Sequence, residues 1–374
     1  MISLSFGTLT KDYRDKKLIL NLVKVIKEEF SNDSYKFMHV CGTHEDTVTK
    51  HGLRNVLPKN IEVVAGPGCP VCVTHPEKIE LALRLLEEKE NVILTTFGDM
   101  YRVPSRYRRS FSHAKAQGFN VKIVYSISDA IKIAKENNDK EVVHFAVGFE
   151  TTAPSTASTL LQNPPENFSI ISAHLTVPPV LDYLLASGEI AVQGLILPGH
   201  VSTIIGSRAY EFLADKYKVP QVIAGFEPLD VIIALKMLLE QVKKGERKIE
   251  NEYERVVKPY GNLRAKKLMN KVFKQEDAKW RGLGKVPNSG LDLKPEFEKF
   301  NAIIKFDINL PEITKDIEDG CRCSEVIKGL AKPEECQLFR SVCTPYDPRG
   351  PCMVSIEGTC AIAYKYGSLS LKSN

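Results

Sequence analysis

From about residue 36 to residue 240 the chain alternates two patterns. Short β-branched and apolar runs are followed by stretches whose apolar positions recur every three or four residues. The runs predict strands at Lys36–Val40, Ile61–Ala65, Asn91–Thr96, Asn120–Tyr125, Glu141–Val147, Phe168–Ala173, Gly194–Leu197 and Gln221–Ala224. The stretches between predict helices, among them Pro76–Lys89, Ser128–Glu136, Val177–Ser187 and Glu227–Lys243. In the first of these, Ile79, Leu81, Leu83, Leu85 and Leu86 keep roughly helical spacing, and Pro76 suits a first turn. Strands alternating with helices indicate βαβ units and mainly parallel sheets.

Eight strands are many for one sheet. The polar break ENNDKE at 136–141 suggests two α/β domains, 36–140 and 141–245. Residues 1–35 contain an early helix, Lys16–Phe30, expected to pack with the C-terminal region. Beyond residue 245 the strand pattern fades. Residues 246–320 are charged and irregular, with helical signal around Asn262–Phe273, and the stretch after them is dense in Gly, Pro and Cys. A small region of that composition buries little apolar surface, so something else should hold it together. The expected fold class is α/β: two parallel-sheet α/β domains plus a smaller loop-rich, cysteine-rich region at 246–374.

Strand after strand ends in a short loop carrying glycine and functional side chains: CGTHE at 41–45, GPGCPVC at 66–72, TFGDMYRVP at 96–104, GFETTAP at 148–154, PGHVS at 198–202 and GFEPLD at 225–230. Ligand sites of parallel α/β sheets form at the carboxyl ends of strands. One or two clefts lined by Cys41, His44, Cys69, Cys72, Asp99, Arg102, Glu150, His200 and Glu227 are therefore expected.

Composition narrows the chemistry. The 374 residues are 43% hydrophobic and 26% charged with net charge +5, ordinary for a globular protein and too weakly basic to argue for nucleic acid. The N-terminus lacks the apolar core of a signal peptide, and there is no apolar run of about 18 residues, so a cytoplasmic chain is expected. In a reducing compartment, clustered cysteines point to metal or redox chemistry more than to structural disulfides. The nine cysteines fall into three groups: Cys41 alone, the Cys69/Cys72 pair, and Cys321, Cys323, Cys336, Cys343, Cys352 and Cys360 near the C-terminus. All eight histidines lie at or before His200, so a metal in the tail needs thiolates.

Zinc sites usually come as two tight CxxC pairs, which the tail lacks. Iron–sulfur clusters tolerate wider spacing and need four thiolates. A set of buried or disulfide-bonded cysteines is the bland alternative. Cys41, three residues before His44, reads as a nucleophile, a metal ligand or a packed strand-end thiol. Cys69 and Cys72, at a probable helix N-terminus after a Gly-Pro-Gly turn, read first as a redox dithiol, next as half a metal site, last as buried thiols. GFETTAP lacks the Gly-rich spacing and the Lys-Ser/Thr pair of a P-loop, and its Glu150 and Thr151–Thr152 read equally as a cap for the following helix, while His200 reads as a ligand, an acid/base or a satisfied strand-end histidine.

In order, CGTHE, GPGCPVC, TTFGDMYRVP, GFETTAP, PGHVS, GFEP and CTPYDPRGPCMVSIEGTC resemble the HypD family of hydrogenase-maturation proteins over nearly the whole chain. The resemblance implies an iron–sulfur scaffold and cofactor-assembly role. With the small partner HypC it would build the Fe(CN)2CO unit of [NiFe]-hydrogenase, take cyanide from HypE (with HypF upstream), and pass the unit to the hydrogenase large-subunit precursor. It implies that Cys41, with His44 nearby, helps hold a transient iron carrying cyanide and carbonyl ligands. Cys69 and Cys72 would exchange electrons, and Cys321, Cys336, Cys343 and Cys360 would ligate a [4Fe-4S] cluster, with Cys323 and Cys352 as the other two candidates. Neither nucleic acid nor membrane is an expected partner. A stand-alone, iron–sulfur-fed thiol–disulfide reductase and a zinc-binding structural protein are the alternatives.

Overall fold

A computed structural model describes residues 12–309, 313 and 315–367; the first eleven residues of the expected N-terminal segment lie outside them. Among the described residues the strands are β1 (Tyr35–His39), β2 (Ile61–Ala65), β3 (Val92–Thr96), β4 (Val121–Ile123), β5 (Glu141–Gly148), β6 (Phe168–His174), β7 (Gly194–Pro198), β8 (Gln221–Ala224), β9 (Ile249–Asn251), β10 (Phe273–Trp280) and β11 (Gly284–Leu293). Every strand expected from the pattern is present. The helices Pro76–Glu88, Ile127–Glu136, Val177–Ser187 and Pro228–Lys244 match their expected positions within two residues.

Two parallel sheets result, one in the order β2-β1-β7-β8-β9 and one in the order β4-β3-β5-β6; β10 and β11 form an antiparallel hairpin. The α/β class with two parallel sheets and a cysteine-rich C-terminal region is as expected. The split near residue 140 does not coincide with the sheets. The chain leaves the first sheet after β2, builds the whole second sheet, and returns at β7. Local periodicity marks a strand but not its neighbour, because parallel partners are joined only through long crossovers.

The N-terminal helix also packs elsewhere than expected. Asp15 caps it, accepting from the N–H groups of Lys17 and Leu18. Its buried stripe, Ile19, Val23 and Ile26, joins Val231, Leu235 and Leu238 of helix Pro228–Lys244 over the first sheet, and no residue beyond 245 belongs to that cluster. An amphipathic helix goes to the nearest uncovered apolar face, here the outer face of the first sheet.

The hairpin was not legible. β10 reads FKQEDAKW and buries only Phe273 and Trp280, with charged and exposed positions between, so neither alternation nor an apolar run marks it. Trp280 anchors the hairpin, its indole N–H donating to Ser289 Oγ at 2.8 Å. β11 packs on β6 and on helix Val177–Ser187.

The N-terminal helix yields a direct test. Ile26→Ala, at a wholly buried position, should lower stability by about 2–4 kcal/mol in urea unfolding. Leu20→Ala, at a position 41% exposed on the same helix, should change it by less than about 0.5 kcal/mol.

Candidate functional site

In an open parallel sheet, the strands on either side of a reversal in strand order leave a crevice at their carboxyl ends. In the first sheet the reversal lies between β1 and β7, whose ends carry Cys41 and the Pro198–His200 segment. In the second it lies between β3 and β5, ending in Phe97–Asp99 and Phe149–Glu150. One C-terminal segment reaches both. Ser355 Oγ donates to Asp99 Oδ2 at 3.0 Å, and Thr43 Oγ1 donates to Glu357 Oε1 at 3.3 Å.

Cys41 is the N-cap of helix Gly42–Lys50, and Cys69 is the N-cap of the short helix Pro70–Val73. The two loops touch backbone to backbone. Gly42 N–H donates to Gly68 O at 3.2 Å, and a Cβ on Gly68 would stand 2.2 Å from Cys41 N. Only glycine permits that approach. Cys69 and Cys72 are joined as a disulfide. Cys41, Cys69, Cys72 and Cys352 line one narrow crevice with His39 and Glu357.

Burial first, then the neighbouring Glu357, pushes the Cys41 thiol up to about 11, against the pull of the His44 and Thr43 backbone N–H groups and the Thr43 hydroxyl. At neutral pH it is a thiol that a bound metal would have to deprotonate. His44 contributes to Cys41 through its backbone. Its ring Nε2 faces Gly225 O at 2.9 Å and stacks on Phe226 with centroids 4.9 Å apart, and burial lowers it to about 3, so it is a neutral imidazole. Sequence reasoning missed the groups that shape the crevice wall. His39 Nε2 meets Glu45 Oε2 at 2.7 Å, and Arg54 holds both Glu45 oxygens at 2.7 and 2.9 Å. Burial raises the Glu45 carboxyl, but Arg54 and His39 outweigh it and leave Glu45 well below the usual carboxylate range. His39 occupies an inward position of a correctly expected strand, which was the available signal.

The other strand-end residues are dispersed. Arg102 donates to Pro345 O at 3.0 Å. His200 stacks on Phe226 at 3.8 Å, and Glu227 pairs with Arg14 while capping its helix. Glu150 Oε1 accepts from Val177 N at 2.9 Å, at the start of helix Val177–Ser187 and not of the helix that follows it, Ala153–Leu161, whose N-cap Thr152 makes no side-chain cap bond. Glu150 Oε2 is buried without a partner, and burial raises the carboxyl to about 7.

The tail cysteines gather beside the crevice. Cys323 and Cys352 are both buried, with their sulfurs 2.9 Å apart. Cys360 lies within electrostatic reach of Cys323, Cys321, Cys343 and Cys336, and burial, more than these neighbours, raises it well above a normal thiol. Arg349 N–H donates to Cys343 Sγ at 3.3 Å. Among the described residues no group of three or more His, Cys, Asp or Glu side chains is drawn around a single metal-ion position.

The chain is similar to known proteins over nearly its whole length. Residues 17–367 match the sequence model of the family described as "HypD: Hydrogenase formation hypA family". The chain belongs to the HypD family. It is 48% identical over 356 residues to a putative hydrogenase expression/formation protein of Methanocaldococcus jannaschii, covering 94% of this chain and 98% of the relative. A HypD hydrogenase maturation factor of Bradyrhizobium diazoefficiens is 44% identical, covering 95% and 96%, and HypD of Escherichia coli is 40% identical, covering 95% and 97%. As a HypD protein, the chain is a hydrogenase maturation factor. Among the described residues, no helix is long and apolar enough to cross a membrane.

Three substitutions probe the HypD site. Gly68→Ala must separate the two loops and should cost about 1–3 kcal/mol. Gly98→Ala, whose Cβ would meet nothing closer than 3.7 Å, should be near neutral. Glu150 binds its proton more tightly folded than unfolded, so its contribution is complete below the ordinary carboxylate value of 4.5 and is lost as pH rises through about 7. Between pH 4.5 and 7.5 the parent should therefore lose up to about 3 kcal/mol relative to Glu150→Gln in urea unfolding.

Proposed function

We propose that this HypD protein is the scaffold on which, together with HypC, the Fe(CN)2CO unit of [NiFe]-hydrogenase is assembled, with cyanide supplied by HypE. The observation that carries the reading is the convergence of Cys41, the Cys69–Cys72 pair and Cys352 on one crevice. A single thiol with a neighbouring two-electron couple suits iron loading linked to cyanide delivery.

The donor set at the tail fits an iron–sulfur cluster: thiols alone, without histidine, in a loop-rich region with a small core of its own, and with a backbone N–H already aimed at Cys343. Cys321, Cys336, Cys343 and Cys360 would hold it. It would supply single electrons. Cys323 and Cys352, in mutual contact, are left over as a second dithiol.

The chain's own steps balance. A Cys352 thiolate attacks the Cys69–Cys72 disulfide, Cys323 resolves the mixed disulfide, and a disulfide between Cys323 and Cys352 replaces the one between Cys69 and Cys72. The reduced Cys69/Cys72 pair then cleaves a protein-bound thiocyanate. One thiol attacks its sulfur and the second closes the ring, so that the donor leaves as a thiol, cyanide passes to iron, one proton is released and the disulfide is restored. Cys41 gives up its proton on taking the iron, and the Thr43 and His44 N–H groups stabilise the resulting thiolate. The stand-alone reductase reading uses both dithiols and leaves Cys41 without a task.

Anaerobically purified protein should be brown with about four irons per chain. Cys41→Ala should keep that iron while the complex with HypC loses the infrared bands of cyanide and carbonyl bound to iron. A variant that still matures hydrogenase would overturn the role of Cys41, and a colourless chain that cannot be reconstituted would overturn the cluster.

A further inference from the structure

One residue ties the CxxC helix to the C-terminal cysteines. Arg281 lies in the turn between β10 and β11. Its backbone N–H donates to Val73 O at 2.8 Å, one residue past Cys72, and the preceding Trp280 bridges Thr74. The following Gly282 abuts the helix that begins at Cys323, where a Cβ would stand 3.0 Å from Ser324 Cα.

The Arg281 side chain points into this junction and is 2% exposed. Its Nη1 donates to Pro104 O at 2.7 Å and its Nε to Asp316 O at 3.0 Å. Both acceptors are carbonyls. Among the described residues no ion pair joins this guanidinium to a carboxylate, and Asp316 Oδ2 is engaged by Gly282 N at 2.7 Å. A buried, permanently charged guanidinium needs a counter-charge. The groups facing it that can carry one are Cys323, Asp316, Cys321 and Cys352; the nearby His75 adds a cation only if protonated. Of the sulfurs, Cys321 is one of the four proposed cluster ligands, and Cys323 and Cys352 are the dithiol beside it.

A fixed positive charge beside an electron acceptor favours the form with one more electron. We propose that Arg281 is the buried counter-charge of the C-terminal sulfur site and raises the reduction potential of the iron–sulfur group held there. This rests on the cluster reading above and goes beyond it: it names the residue that tunes the group. Arg281 is a positioning and tuning residue, since it contacts no substrate. The same cation offsets negative charge that the thiolates facing it bring into a buried region, so the arginine and those thiolates each reduce the burial cost of the other.

The test is a potentiometric titration of the full chain with dithionite, which gives one electron per reduced cluster, followed by electron paramagnetic resonance. Arg281→Gln should lower the equilibrium constant for reduction by tenfold or more, about 59 mV for one electron. Arg281→Lys should stay within threefold of the parent. Asp316→Asn removes the opposing negative charge and should shift the constant the other way, an opposite sign that a merely structural disturbance would not produce. If Arg281→Gln assembles its cluster at the parent potential, the inference is wrong. If that variant fails to fold, an unshifted Asp316→Asn overturns it. A parent chain that takes up no iron overturns the cluster reading, and this inference with it.

Discussion

The structure depends on a contact with no side chain in it. The backbone of Gly68 lies against the backbone of Cys41, where a single added carbon would stand 2.2 Å from the Cys41 amide nitrogen, well inside van der Waals contact. β1 and β2 are neighbours in register, so their carboxyl-end loops emerge side by side. Glycine lets those loops close until the Cys41 thiol and the Cys69–Cys72 disulfide share one crevice. The tail then seals it. Gly42 leaves room for Glu357, and the helix Thr359–Tyr366 packs on the helix that Cys41 caps.

That closure creates the electrostatic situation. Cys41, His44, Glu45, Glu150, Cys323 and Cys352 are all buried, and burial penalises every charged form. The molecule resolves this locally in different ways. Glu45 stays ionised because Arg54 and His39 surround it. His44 gives up its charge and stacks on Phe226. Cys41 keeps its proton, and the neighbouring backbone N–H groups of His44 and Thr43 only partly offset the effect of burial on its thiol. In the proposed role, a thiol of this kind would exchange its proton for a soft cation on loading and take it back on release.

Much of this was legible in the sequence, and the gaps have physical causes. Strands such as Ile61–Ala65 and Gln221–Ala224 are short apolar runs bounded by turn residues, and they fall at their expected positions. Sheet membership was not legible, because hydrogen bonding between β1 and β7 leaves no mark on either sequence. The hairpin escaped because its outer face is charged. For the site, Cys41, Cys69 and Cys72 were marked by spacing and by glycine. His39 and Arg281 were not, since a histidine in a strand and an arginine in the turn KWRGLG carry no local signal of what they face. Only the packing shows that His39 lines the cysteine crevice and that Arg281 is buried with no direct ion pair to a carboxylate among the described residues.

The interleaved topology gives these details a common purpose. Because β1 and β2 precede the second sheet in the chain and β7 follows it, the two sheets cannot separate as independent domains joined by one linker. The tail reinforces this by bonding to Asp99 at the switch point of one sheet and to Thr43 beside that of the other. Arg281 adds a third tie, from Val73 to the helix starting at Cys323. Thiol exchange requires sulfurs to meet within a bond length, and electron transfer weakens steeply with distance. A scaffold that coupled these steps across a hinge would lose both whenever the hinge opened. Here the sulfur-bearing loops are held by three separate crossings of the chain, so in the proposed role any opening that admits a partner would fall to the rim of the crevice.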